Sequence, residues 1–257
     1  MSMLAFWAQA LPAIALLALV AWGVATLRRN AGLVDIFWSL FFLAAAISFA
    51  ANALPGSRGL LVLTLVMAWA LRLAGYLALR NWNAPEDRRY QAIRARNEPG
   101  FAWKSFYLVF GLQGALAWII AAPLAASIGS AEPLGVADFL GAGLAILGLA
   151  FESVADAQLA RFKADRANEG RVLDTGLWRY TRHPNYFGEF CVWWGFFVIA
   201  AGAGGAWTVF SPLLMTVLLL KVSGVALLER DIGERRPAYR DYVARTNAFF
   251  PGPRRSA

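Results

Sequence analysis

Long apolar windows alternate along this chain with short basic ones. Windows of the length that crosses a bilayer, about 20 residues, lie at about 3–27, 32–53, 59–80, 104–128, 135–160, 185–203 and 206–228. Each is too long for a buried strand, so the pattern predicts seven helices. Arg72 and Lys221 fall inside windows, and Arg58 lies in a loop between two of them. Every other Lys and Arg falls in 28–31, 80–104, 160–184 or the tail after 228. An odd number of spans with the basic loops all on one side is what the positive-inside rule produces. The expectation is an all-α integral membrane protein of seven transmembrane helices, N-terminus outside and C-terminus cytoplasmic. The first window has no basic residue before it and is long enough to span, so it reads as a helix rather than a cleavable signal. No repeat or linker interrupts the chain, so one membrane domain over 1–257 is expected.

Composition strengthens that reading. The 257 residues are 59% hydrophobic and only 16% charged, with a mean hydropathy of +0.52. A soluble domain carries about a quarter charged residues. The net charge of +8 could point to nucleic acid, but its placement marks a topology signal and contact with lipid headgroups. Cys191 is the single cysteine and His183 the single histidine. An internal disulfide is therefore excluded, no Cys- or His-based metal site is expected, and no obligate protein partner is evident.

The polar residues inside this apolar background carry the functional argument. In Gly176 to Glu189, Gly-Leu-Trp-Arg-Tyr-Thr-Arg-His-Pro-Asn-Tyr-Phe-Gly-Glu, two arginines, the histidine and a proline precede an apolar run. A helix starting near Pro184 puts Asn185 and Glu189 on one face, roughly 6 Å apart along the axis. Four acids, Asp35, Glu152, Asp156 and Glu189, fall in or at the edge of spans and are expected at their cytoplasmic ends. A charge at the bilayer centre costs about 3 kcal/mol, so such acids mark function or pairing. Arg72, Lys163, Arg171, Arg179, Arg182 and Lys221 are expected at the same level. Together they describe a cation-rich cup open to the cytoplasm, fit for an anionic, phosphate-bearing molecule with a lipophilic partner entering from the bilayer. Interhelical salt bridges are the competing reading for any one acid, and Trp38, Trp69 and Trp103 read individually as packing or interface aromatics. Trp38 and Ser39 share the side of Asp35, and Trp69, Arg72, Tyr76 and Arg80 form a stripe on the next helix. Gln113 is the one strongly polar residue of the fourth span, and Gly141, Gly143 and Gly148 read as close helix packing.

The Arg-His-Pro-Asn-Tyr-Phe-Gly-Glu run at 182–189, the Glu-Asp-Arg-Arg-Tyr loop at 86–90 and the Arg-Pro-x-Tyr-x-x-Tyr tail ending in Phe-Phe-Pro resemble the bacterial branch of the steroid 5α-reductase family. The likeness covers most of the chain and is strongest from Phe151 to Pro251. It implies seven transmembrane helices and an oxidoreductase that reduces the Δ4 double bond of 3-oxo-steroids, or similar lipophilic enones, with NADPH. It also implies a bacterial inner membrane and an active site toward the cytoplasm. Asn185 and Glu189 would hold the nicotinamide end of NADPH, with Glu152 and Asp156 facing the cofactor. Lys163 and Arg171 match phosphate-binding positions, and Arg179, Arg182, His183 and Tyr186 lie close by. The tail, with Glu229, Asp231, Arg235, Arg236, Tyr239 and Tyr242, would close over the nucleotide. Asp35 corresponds to the acid that hydrogen-bonds the steroid ketone, with Trp38, Trp69 and Arg72 lining the substrate side. The sequence departs from the family in carrying Asp rather than Glu at 35 and Trp69 where a partner tyrosine is expected.

The chemistry expected of these parts is an enone reduction in which a protonated Asp35 stabilises the enolate, assisted by Tyr76 or a water. The alternative is an integral-membrane S-adenosylmethionine-dependent methyltransferase of the isoprenylcysteine or phospholipid type, which shares the Arg-His-Pro-x-Tyr-x-Gly run. Asn185 with Glu189, and the number of cations, favour the reductase. A lipid-binding or structural membrane protein without turnover is a further alternative, and it leaves the four acids unexplained.

Overall fold

A computed structural model describes residues 2–222, Val225 and 238–255. The described residues contain helices and turns and no strand. In chain order the helices are α1 (Met3–Ala8), α2 (Leu11–Leu27), α3 (Val34–Ala53), α4 (Ser57–Asn81), α5 (Arg88–Asn97) and α6 (Phe101–Ile120). There follow α7 (Ala122–Ile128), α8 (Val136–Ala164), α9 (Pro184–Gly202), α10 (Ala206–Val222) and α11 (Ala238–Arg245). Among the described residues, five segments are long and apolar enough to cross a membrane: Met3–Leu27, Ala31–Ala53, Ser57–Asn81, Phe101–Ile120 and Val136–Ala164. They are consistent with a multi-pass membrane protein.

The last two predicted spans are less clear-cut. Helix α9 has 19 residues, but Pro184, Asn185 and Glu189 dilute its first turns, and it falls below the hydropathy of the other five. Helix α10 is apolar but shorter, at Ala206–Val222. The predicted span 104–128 is also two helices rather than one. Pro123 lacks the N–H that would continue α6, and α7 restarts with it in the first turn. Pro12 likewise stands at the start of α2, after the break from α1.

The chain falls into two compact units, Met1–Asp138 with Ile199–Thr208, and Phe139–Val198 with Val209–Ala257. In the first unit α3 packs along α4, where the Ser39 hydroxyl donates to the Ala70 carbonyl at 2.9 Å. Phe42 stands between Trp38 and Trp69, with ring centroids 5.1 and 5.7 Å away. Helix α2 buries Ile14, Ala18, Ala21 and Ala25, a stripe of mostly small side chains at helical spacing. Lipid tails are as apolar as leucine, so close approach through small residues, rather than burial from water, holds such helices together.

This unit also corrects the count of intramembrane acids. Asp138 lies inside a predicted span too, at the end of α8 opposite Glu152 and Asp156. It is fully buried and takes a two-pronged ion pair from Arg58, with Nε–Oδ1 at 2.7 Å and Nη2–Oδ2 at 2.9 Å. The remaining guanidinium hydrogens go to Ser130 Oγ and the carbonyls of Glu132 and Pro133. The isolated Arg58 of the sequence therefore has a structural partner, and acids occupy both ends of the spans.

The second unit is organised by backbone contact between α8 and α9. A Cβ placed on Gly148 would lie 2.5 Å from the Gly188 carbonyl oxygen, and one on Gly195 would lie 2.6 Å from that of Gly141. Gly143, grouped with these by sequence, meets nothing within 4 Å.

Candidate functional site

In the first unit the site is built around Asp35, in the opening turn of α3. Exposed backbone N–H groups at a helix start favour a carboxylate there. The chain after α4 is tied over this helix end. Arg28 donates to the Trp82 carbonyl at 2.9 Å, the Asn30 amide to the Ala84 carbonyl at 3.2 Å, and the Ala31 N–H to Glu86 Oε1 at 2.7 Å. Asp87 then caps α5, accepting the Arg89 N–H at 2.9 Å. The cap fixes Arg89 and Tyr90 in the first turn of α5, within reach of Asp35. The Tyr90 hydroxyl donates to Asp35 Oδ1 at 2.5 Å, and Arg89 Nη2 donates to Oδ2 at 2.9 Å. From α6, Gln113 Nε2 donates to the Tyr90 oxygen at 3.2 Å.

Tyr90 is buried at 6% exposure, while the Asp35 and Arg89 side chains keep 20% and 26%. Burial, and then the negative charge of Asp35, push the Tyr90 phenol well above its ordinary pKa, against weaker opposition from Arg89 and Gln113. The phenol stays a donor. Burial works against ionisation of Glu86, but hydrogen bonds from Arg94 and Ala31 outweigh it and hold the carboxyl below its ordinary range. Burial is likewise the largest influence on Asp87, and it is overcome by the hydrogen bonds and charge of Arg89.

The Tyr76 ring sits beneath the Arg80 guanidinium, 5.4 Å away. Trp38 and Trp69 both pack on Phe42. Arg72 is half-buried on α4. The described hydrogen bonds of Asp35 come from Tyr90 and Arg89.

In the second unit the close contact at Gly148 and Gly188 aligns two acid-bearing stretches. Glu152 and Asp156 are buried one turn apart on α8, and Glu189 is buried on α9. Asn185 Nδ2 donates to Asp156 Oδ1 at 3.3 Å. The segment leading into α9 is strapped to α8: the Trp178 indole donates to the Ala155 carbonyl at 3.1 Å, and the Leu177 N–H to Gln158 Oε1 at 3.0 Å. Gly176 permits this because its φ of +59° suits glycine and a Cβ would sit 2.5 Å from the Gln158 amide. The His183 ring stacks on Tyr186 at 5.6 Å.

Residues 242–252 close over the same segment. The Arg182 N–H donates to the Asn247 carbonyl at 2.9 Å, and its Nη1 to the carbonyls of Thr246 at 2.6 Å and Val243 at 3.2 Å. Thr181 Oγ1 donates to the Phe249 carbonyl at 2.8 Å, and the Tyr242 hydroxyl to the Trp178 carbonyl at 2.5 Å. Phe187 and Phe190 meet Phe249 and Phe250 edge-on. Arg182 and Tyr242, expected as cofactor contacts, thus join loop to tail. Tyr239 stands edge-on to Tyr242, 5.4 Å between centroids. Lys163, Arg171 and Arg179 are exposed. Glu229, Asp231, Arg235 and Arg236 lie outside the described residues.

Residues 21–246 match a family described as a protein of unknown function, DUF1295. The chain belongs to the DUF1295 family. An uncharacterized protein of Schizosaccharomyces pombe is 27% identical over 263 residues, covering 90% of this chain and 76% of the relative. No solved structure matches the chain.

The cluster around Asp35 and the acids of α8 and α9 in this DUF1295 protein lie inside the matched stretch, while Asn247, Phe249 and Phe250 lie just beyond it. Sequence reasoning missed the roles of Arg89 and Tyr90, although the Glu-Asp-Arg-Arg-Tyr loop that holds them stood out as a motif. The signal that could have found them was Gln113. A lone amide in an apolar span needs a partner near its own depth, and Tyr90 is the partner of its Nε2.

Proposed function

We propose that this DUF1295 protein is a seven-span, NADPH-dependent membrane reductase that saturates the Δ4 double bond of 3-oxo-steroids or similar lipophilic enones, with its site toward the cytoplasm. The observation that carries the reading is the buried phenol of Tyr90, oriented by an acceptor, Asp35, and by a donor, Gln113. A family that includes steroid 5α-reductase-like membrane proteins supports it. Reducing a conjugated enone builds negative charge on the carbonyl oxygen, and a preorganised donor in a dry site is the group that stabilises such charge. Tyr90 is the donor to that oxygen in this scheme, its single O–H turning from Asp35 Oδ1 to the substrate. Gln113 donates to the phenol oxygen throughout, and Arg89 stays on Asp35. The α-carbon takes its proton from water.

The second unit offers chemistry that fits the cofactor. The Asn185 amide and the buried carboxylates of Glu152, Asp156 and Glu189 suit the carboxamide and ribose hydroxyls. The exposed Lys163, Arg171 and Arg179 suit phosphates. When bound, NADPH would supply the hydride. The test is to mix the purified protein with NADPH and a 3-oxo-Δ4 steroid and follow the nicotinamide absorbance. Steroid-dependent loss of absorbance is expected. No loss, together with stabilisation by S-adenosylhomocysteine and not by NADPH, would transfer the protein to the methyltransferase class.

A further inference from the structure

A cavity of about 410 Å³ opens in the first unit, separate from the hydrogen bonds of Asp35. Thr26 and Arg29 line it from the end of α2, Arg94 from α5, and Phe101, Ser105 and Phe110 from the first turns of α6. Its place follows from these elements. Met3–Leu27 and Phe101–Ile120 are both candidate spans, and the cavity lies where α2 ends and α6 begins. In a bilayer that is the depth of the lipid headgroups.

The charges divide unevenly. Arg94 is neutralised by Glu86, to which Nε and Nη2 donate at 2.9 and 2.8 Å, and its guanidinium lies over the Phe101 ring at 4.5 Å. It also donates to the Arg29 carbonyl at 3.5 Å. The Arg29 guanidinium has no hydrogen bond or ion pair among the described residues. Its backbone adopts a φ of +51°, uncommon for a residue with a side chain. Glu98 is the one acid on the lining among the described residues, and it is exposed. Beside the cavity an aromatic group marks an interface: Trp22 donates its indole N–H to the Ala102 carbonyl at 2.8 Å and packs on Trp103 and Phe106. Trp103 and Tyr107 are exposed at 73% and 60%. Exposed tryptophan and tyrosine at the ends of apolar helices belong at the membrane–water boundary. A free cation, hydroxyls and an apolar floor, at one depth and between two helix ends, match an anionic headgroup with its acyl chain running along the helices.

We propose that this cavity binds the phosphate ester headgroup of an anionic membrane lipid, with Arg29 as its principal ligand. The proposal stands whether or not the protein is a reductase. The experiment uses the full chain in a neutral maltoside detergent and follows its thermal unfolding while three probes are titrated: phosphatidylglycerol, phosphatidylcholine and soluble glycerol 3-phosphate. Phosphatidylglycerol is expected to stabilise at least fivefold more effectively per added lipid than phosphatidylcholine, with glycerol 3-phosphate inert at the same concentration. Arg29→Asn should abolish that preference while folding normally, because asparagine tolerates a positive φ. Thr26→Trp, which fills the cavity without changing charge, should abolish it independently. Equal responses to both lipids, or an unchanged preference in both variants, overturn the proposal. A response to glycerol 3-phosphate equal to that of phosphatidylglycerol overturns the lipid in favour of a soluble phosphate ester.

Discussion

At the scale of single residues, Tyr90 carries the proposed chemistry. Its hydroxyl has one acceptor and one donor, both supplied by side chains that themselves sit at fixed points of α3 and α6. Tyr90→Phe removes the donor and leaves the ring packed, so turnover of an enone should fall by about 10²–10³, the usual loss for one such donor. Stabilisation by NADPH should be unchanged, as measured by thermal unfolding of the same variant. Equal turnover in Tyr90→Phe would remove the phenol from the mechanism. Glu86 offers a second measurement. Its side chain is about 10% exposed and takes hydrogen bonds from Arg94 and Ala31, and Glu86→Gln should cost about 1–3 kcal/mol. Its pKa is lowered on folding, so its contribution is fully present above its ordinary value of 4.5 and disappears as pH falls through the lower folded value. An acid titration of stability should therefore flatten in Glu86→Gln relative to the parent.

Among the elements, α8 and α9 make the tightest demand. Gly148→Ala and Gly188→Ala each press a methyl group against backbone, at 2.5 and 2.6 Å, where no side-chain rotation gives relief. Each should destabilise by about 1–3 kcal/mol in thermal unfolding. Gly143→Ala has open space and should be neutral or slightly stabilising, since alanine is about 1 kcal/mol the better helix former. The buried pair of Arg58 with Asp138 sets a larger scale: Arg58→Ala strands a carboxylate at 0% exposure and should cost about 3–5 kcal/mol. These contacts show what a one-dimensional pattern can hold. Length and hydropathy make five spans legible, because each helix's solvent is decided within its own 20 or so residues. Gly141 and Gly148 were legible as packing, since a small residue in an apolar helix has few other uses, but Gly143, read the same way, packs against nothing. Pairings across distance were not. Tyr90 and Asp35 are 55 residues apart, Arg58 and Asp138 are 80 apart, and nothing local to either partner names the other.

For the molecule as a whole, the two readings of its function differ in which small molecule the folded state holds. A ligand at 100 times its dissociation constant adds about 2.7 kcal/mol to stability. NADPH is therefore expected to raise the melting temperature of the solubilised protein where S-adenosylhomocysteine does not. Reporter fusions after each basic segment, scored for cytoplasmic activity, check the orientation that the charge distribution predicts. The loop at 181–183 adds a condition on how the chain is made. Its carbonyl partner in the tail lies 68 residues further along, so Thr181 leaves the ribosome several seconds before Phe249, at about 5–20 residues per second. Through that interval Arg182 has no Thr246 or Val243 to meet. A nascent chain stalled before residue 243 should thus leave this loop open to an added protease, and release of synthesis past 249 should protect it.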